Sequence, residues 1–172
     1  MLALGETEIK IMDLKHPTVQ SVKAEGFPPE EDAKAIALNR LFTTFPQNND
    51  IADVLPKVAT LNSLYSTNIF AVVPVAQHIV NSSIDNLLES GNIQAVLSIE
   101  QTPINGKVRR NYSFATKYCH WHQPDVYPIY DRNVKRALWD YQQQKPFATF
   151  SKKELKNYER FIFIIRANFK TI

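Results

Sequence analysis

The sequence is poor in cysteine, with Cys119 standing alone. A single thiol cannot close an intramolecular disulfide, and there is no thiolate set for a structural zinc or an iron–sulfur cluster. Long apolar runs are missing as well. The longest unbroken ones, Ile69 to Val73 and Phe161 to Ile165, are equal in length and fall far short of a membrane span, so no membrane partner is expected. The opening residues, MLALGETEIKIMDLKH, lack the basic start and long apolar stretch of a secretory signal, which predicts a cytoplasmic protein. A Gly-rich nucleotide loop, a zinc-protease helix signature and a serine-elbow motif are also absent. Internal repeats and low-complexity tracts do not occur.

What is present is an ordinary globular composition, 44% hydrophobic and 22% charged over 172 residues. A chain of this length suits one domain that buries roughly two thirds of its unfolded surface. The net charge of +3 hides an asymmetry. Residues 1–100 hold 6 Lys/Arg against 12 Asp/Glu, whereas residues 101–172 hold 14 against 5. A basic half suggests a face for a polyanion, with nucleic acid the commonest candidate. Attraction between the two halves, or simple solvation of helices, would give the same count.

Hydrophobic spacing predicts a mainly helical, all-α chain. Residues 1–29 read as an N-terminal arm with a β-prone piece at Glu8–Ile11, and residues 30–172 as one helical domain. A helix is expected from Glu30, with Ala33, Ile36, Ala37 and Leu41 inward, stopping near Phe45-Pro46. Asn49 or Asp50 caps the next, whose stripe is Ile51, Val54, Leu55, Val58, Leu61 and Leu64; Pro56 either kinks it or marks its true start. After a polar stretch, Asn62–Asn68, comes the apolar run Ile69–Val80. Ser82 or Ser83 caps a short helix that Ser90-Gly91-Asn92 ends. Residues 93–99 suit either a short helix or a strand, with helix favoured by context. Thr102 to Lys107 form a tight turn before a helix from Arg110 to Trp121, with Phe114, Ala115, Tyr118 and Trp121 inward. Pro124 and Pro128 enforce an extended crossing. Asp131 opens a helix to Gln144, and Ser151 with Glu154 forms a capping box for the last one.

The segment most able to carry chemistry runs from Ser113 through Lys117, Cys119-His-Trp-His122 and Pro128-Ile-Tyr-Asp131 to Leu138. Its aspartate is fixed by the chain on both sides and faces the free N–H groups of a helix start. Its plainest role is that of an N-cap. Lys107, Arg109 and Arg110 cluster at the turn, where free N–H groups favour phosphate. Arg132, Lys135 and Arg136 share one helical face. His120 and His122 point apart on a helix and find no partner cluster, so no metal and no cofactor are expected.

A turn, a helix and a loop ending in Pro-Ile-Tyr-Asp before another helix resemble the latter half of the helix-hairpin-helix DNA glycosylase superfamily, in a divergent bacterial branch. The likeness covers about residues 50–140. It implies a glycosylase-like fold, DNA as partner ahead of RNA, and hydrolysis of an N-glycosidic bond with Asp131 as the catalytic carboxylate and Arg136 as the following helix arginine. Residues 55–69 are similar to the family's earlier helix, and the role of filling the gap left by an extruded base would fall to Thr67 and Asn68. The nucleic-acid face would comprise Asn105, Gly106, Lys107, Arg109, Arg110, Lys117, Arg132 and Arg136. Tyr112, Tyr118 and Tyr130 would sandwich the base, core packing being their plain alternative. Two departures stand out. The hairpin carries Gly106 where the family has two glycines, and the register of the lyase lysine falls on Tyr112. The resemblance thus implies base removal without a lyase step. A domain that keeps the fold but only binds nucleic acid or a protein is the competing reading.

Overall fold

The structure is a computed structural model that describes residues 29–169. The N-terminal arm expected over 1–29, with its β-prone piece, lies outside these residues but for Pro29. The chain divides into two compact units, residues 1–37 and 38–172. The described part of the first is the front half of helix α1 (Glu30–Thr44), where Lys34 bridges Glu30 and Glu31.

The second unit is mainly helical. Helix α2 (Ile51–Tyr65) starts where Asp50 accepts a hydrogen bond from Ala52 N at 2.8 Å. Pro56 lies inside this helix; its ring removes the N–H that would have reached Ala52 O. Helix α3 (Val72–Asn81) carries Pro74 in its first turn, where a missing N–H costs nothing. Short helices α4 (Asp85–Glu89) and α5 (Gln94–Glu100) follow, joined at Gly91, whose φ of +66° suits glycine. Neither serine caps α4: Ile84 precedes it, and Ser82 Oγ donates back to His78 O at 2.7 Å. Helices α6 (Tyr112–His122), α7 (Arg132–Gln144) and α8 (Tyr158–Phe169) complete the set.

The tight turn is the tip of a β-hairpin. Strands β1 (Gln101–Ile104) and β2 (Lys107–Arg110) pair antiparallel, Ile104 opposite Lys107 and Gln101 opposite Arg110. Asn105 and Gly106 both have positive φ, 51° and 71°. An Asn-Gly pair in that conformation twists with the strands it joins, and the pairing continues to Arg110. The expected helix start at Arg110 therefore gives way to Tyr112.

Two other expectations are corrected. On α1 the buried residues are Leu38 and Phe42. Phe42 sets that face because its ring meets Tyr118 at 5.3 Å and His122 at 4.9 Å. The Glu154 side chain does accept from Ser151 N, at 2.7 Å, but steadies a single 3-10 turn, Glu154–Lys156. Helix α8 begins later, at Tyr158, with Asn157 Oδ1 accepting from Arg160 N.

Helix α6 is the organising element. It packs on α5 and α2, and every residue from Phe114 to Trp121 is buried. A helix enclosed all round must satisfy its polar side chains internally. Thr116 accepts from Tyr130 N at 3.1 Å, and His120 Nδ1 lies 2.9 Å from Tyr127 O. These bonds lash the proline-rich crossing, residues 123–131, to α6 and fix where its aspartate emerges.

Candidate functional site

Asp131 caps α7. Its Oδ1 accepts from Val134 N at 2.8 Å, while its backbone is extended. The second oxygen, Oδ2, takes no part in the cap and lies 3.8 Å from Lys117 Nζ. The aspartate side chain remains 31% exposed, whereas that of Lys117 is only 3% exposed. Lys117 Nζ also donates to Ser113 Oγ at 2.7 Å and sits 5.4 Å from the centre of the Tyr65 ring. Burial pushes the Lys117 ammonium below the usual lysine range, and the Asp131 carboxylate pushes back. The result is a partly open carboxylate backed by an enclosed amine, a serine hydroxyl and an aromatic ring.

Lys117 thus leaves the expected set of phosphate contacts, since a cation enclosed against Asp131 presents no charge to a backbone outside. Arg110 is 61% exposed but already engaged within the fold. Its guanidinium pairs through Nε with the buried Glu100, donates from Nη2 to Lys156 O at 2.9 Å and covers the Tyr112 ring. Alternation along β2 puts Lys107 and Arg109 on the opposite side of the ribbon, both exposed beside Asn105 and Gly106 at the tip. Arg132 and Arg136 are exposed on the first turns of α7, next in sequence to Asp131.

The three tyrosines do not form an open sandwich. Tyr118 is fully buried and donates to Asn48 Oδ1 at 2.6 Å. The Tyr112 and Tyr130 rings lie against each other at 4.5 Å, Tyr130 meets Phe161 of α8, and the Tyr112 hydroxyl donates to Leu155 O. Their contacts are core contacts. Thr67 is also occupied, donating to Asn62 Oδ1 at 2.8 Å, while Asn68 is exposed with φ of 61°. Cys119 is buried in apolar surroundings that push its thiol above the range of a reactive thiolate. Among the described residues, no three His, Cys, Asp or Glu side chains converge as a metal would require.

A second polar cluster went unread in the sequence. Lys57 is fully buried in the middle of α2 and donates to Phe45 O, Gln47 O and Asn48 Oδ1 at 2.8–2.9 Å. Asn48 in turn holds Asp85 through its backbone and side-chain nitrogens. Burial lowers the Lys57 ammonium to about 8, with Asp85 and Asp53 acting against the shift. The available signal was its position, three residues after Val54 and four before Leu61, on the buried face of the helix.

No helix among the described residues is long and apolar enough to cross a membrane. No solved structure matches the chain. An uncharacterised protein of Haemophilus influenzae is 43% identical over 112 residues, which is 64% of this chain and 56% of that protein. The chain therefore spans little more than half the length of that relative. A family described as HI_0787_N, N-terminal domain, matches residues 20–126, which takes in Tyr65, Ser113 and Lys117 and stops short of Asp131. By that match the chain belongs to the HI_0787_N family.

Proposed function

We propose that this chain is a nucleic-acid-binding domain of helix-hairpin-helix glycosylase-like fold that hydrolyses the N-glycosidic bond of a damaged or modified base, with Asp131 as the catalytic carboxylate. The observation that carries the reading is the Asp131 side chain, 31% exposed, with Oδ1 held in the cap and Oδ2 facing Lys117. A stacked base cannot be attacked at its sugar bond and must first swing out of the duplex. A carboxylate held beside the sugar then stabilises the positive charge that develops as the bond breaks, or orients the water that replaces the base. The exposed Lys107, Arg109, Arg132 and Arg136 would take the phosphates.

The test compares wild type with Asp131→Asn for abasic-site formation on duplexes that carry alkylated, deaminated or oxidised bases. Asparagine keeps the cap, so lost activity in a folded variant marks the carboxylate. Absence of activity from the wild type on all three classes refutes hydrolysis. Binding is tested separately by salt-dependent retention on DNA, which phosphate contacts make steep. Retention without hydrolysis leaves the non-catalytic binding domain, and absence of both leaves a protein-interaction domain.

A further inference from the structure

Asp131 and Lys117 face each other at an unusual separation. Asp131 Oδ1 is tied to Val134 N at 2.8 Å, which fixes the rotation of the carboxylate and leaves Oδ2 3.8 Å from Lys117 Nζ. That is too long for a direct hydrogen bond. It is short enough for one water to lie at ordinary hydrogen-bond distance from both groups. The spacing is held from behind: Thr116, the residue before Lys117, accepts from the backbone N–H of Tyr130, the residue before Asp131, at 3.1 Å. A lysine buried only to pair with an aspartate would sit in direct contact with it, because good geometry alone offsets the cost of desolvating both charges.

The hydrogen-bonding groups around this gap suit one small polar molecule. An ammonium has three N–H bonds. Lys117 directs one at Ser113 Oγ, one turn earlier on α6, at 2.7 Å. Ser113 Oγ accepts that proton, which leaves its own O–H to donate, and Asp131 Oδ2, outside the cap, is an acceptor. Ser113 is half-buried and the Asp131 side chain 31% exposed, whereas that of Lys117 is 3% exposed. Solvent therefore reaches the carboxylate and the hydroxyl, with the ammonium as the floor beneath them. We propose that Lys117 and Ser113 are positioning residues that hold the attacking water against Asp131 Oδ2. In that step the water oxygen bonds to C1′ of the sugar as the C1′–N bond breaks. The electron pair of that bond leaves with the base, which takes a proton from solvent, while a proton of the water passes to Asp131 and on to solvent. Lys117 stays an ammonium throughout and forms no bond to the sugar. The inference rests on the glycosidic reading of the preceding subsection and assigns Asp131 the water-orienting role of the two named there.

The experiment measures kcat and KM for abasic-site formation by wild type, Ser113→Ala, Ser113→Thr and Lys117→Met, on duplexes carrying alkylated, deaminated or oxidised bases, in buffer with and without dilute methanol. Methanol competes with the held water, so the ratio of methyl glycoside to free sugar reports how firmly that water is placed. Ser113→Ala is expected to lower kcat about tenfold and Lys117→Met about a hundredfold, both at unchanged KM, because a misplaced nucleophile costs rate and not affinity. Both should raise the methanol share, and Ser113→Thr, which keeps the hydroxyl, should restore rate and share together. Circular dichroism confirms that the variants are folded. Variants that match wild type in kcat and methanol share overturn the inference and leave the reading of Asp131 standing. A fall in kcat with the methanol share unchanged gives the two residues a structural role only and also overturns the inference. Wild type that forms no abasic sites on any of the three duplexes overturns the glycosidic reading, and the held water with it.

Discussion

Replacing Asp131 by asparagine separates its two contacts. Asparagine caps a helix about as well as aspartate, so Val134 N keeps an acceptor and α7 keeps its start. What disappears is a negative charge 3.8 Å from Lys117 Nζ. At about 4 Å a pair of unit charges is worth about 1 kcal/mol in bulk water and about 4 kcal/mol at an effective dielectric near 20. The aspartate is partly exposed and the lysine enclosed, so the pair falls between those limits. Burial already depresses the lysine, and Asp131 opposes that effect. Asp131→Asn must therefore drive the Lys117 titration further down, which carbon NMR at its Cε follows directly. Stability follows the same linkage. The folded lysine titrates below the unfolded value of 10.5, so the unfolded chain holds the proton more tightly and stability rises with pH up to that value. The variant's deficit against wild type is expected to be largest near neutrality, about 1–4 kcal/mol, and to vanish above the ordinary lysine range. A Lys117 titration that stays put or moves up in Asp131→Asn refutes the pairing.

Two further outcomes follow from the buried groups. Lys57→Met removes the donor for three oxygens and leaves Asp85 without its cation, so a loss of about 3–5 kcal/mol is expected, read as a fall in the urea midpoint at constant m; an unchanged midpoint would contradict the network. His122, lowered to about 3 by burial and then by Lys57, stays neutral in the fold while the unfolded chain protonates near 6.5. Stability should therefore fall as pH drops from 6.5 toward 3, by up to about 1.4 kcal/mol per pH unit, and His122→Phe should flatten that fall. Parallel acid unfolding curves for the two proteins would exclude His122 as the cause.

What the sequence disclosed well was local. The caps at Asp50 and Asp131, the span of α1 and the end of α7 are set by neighbours a few residues away, and those are legible in a single chain. The hairpin was half legible: Asn105-Gly106 announced a turn, but strand pairing depends on which residues stand opposite, and Arg110 carries no mark of its place in a ladder. The cationic inventory misled in a specific way. A count of Lys and Arg says nothing about which carboxylate each one meets, and Arg110 and Lys117 meet Glu100 and Asp131 in the fold. The tyrosines misled similarly, because an aromatic suited to a base is equally suited to a core, and α6 is enclosed on every side.

The two buried lysines invite a comparison that bears on function. Lys57 meets three oxygens, and its removal strands them. Lys117 meets one hydroxyl and a carboxylate at a distance too long for a hydrogen bond. Enclosing an ammonium costs several kcal/mol after relaxation, and one hydroxyl with a carboxylate at this distance offsets only part of it. Lys117→Met keeps the length of the side chain and its contact with the Tyr65 ring, while Asp131 retains water and Val134 N. Stability of Lys117→Met is therefore expected to equal or exceed that of wild type, within about 1 kcal/mol or above, in contrast to the large loss at Lys57. A Lys117→Met variant as stable as wild type would leave Lys117 a role in tuning the Asp131 carboxylate that the proposed function uses. If thermal denaturation finds Lys117→Met as damaged as Lys57→Met, the amine is structural.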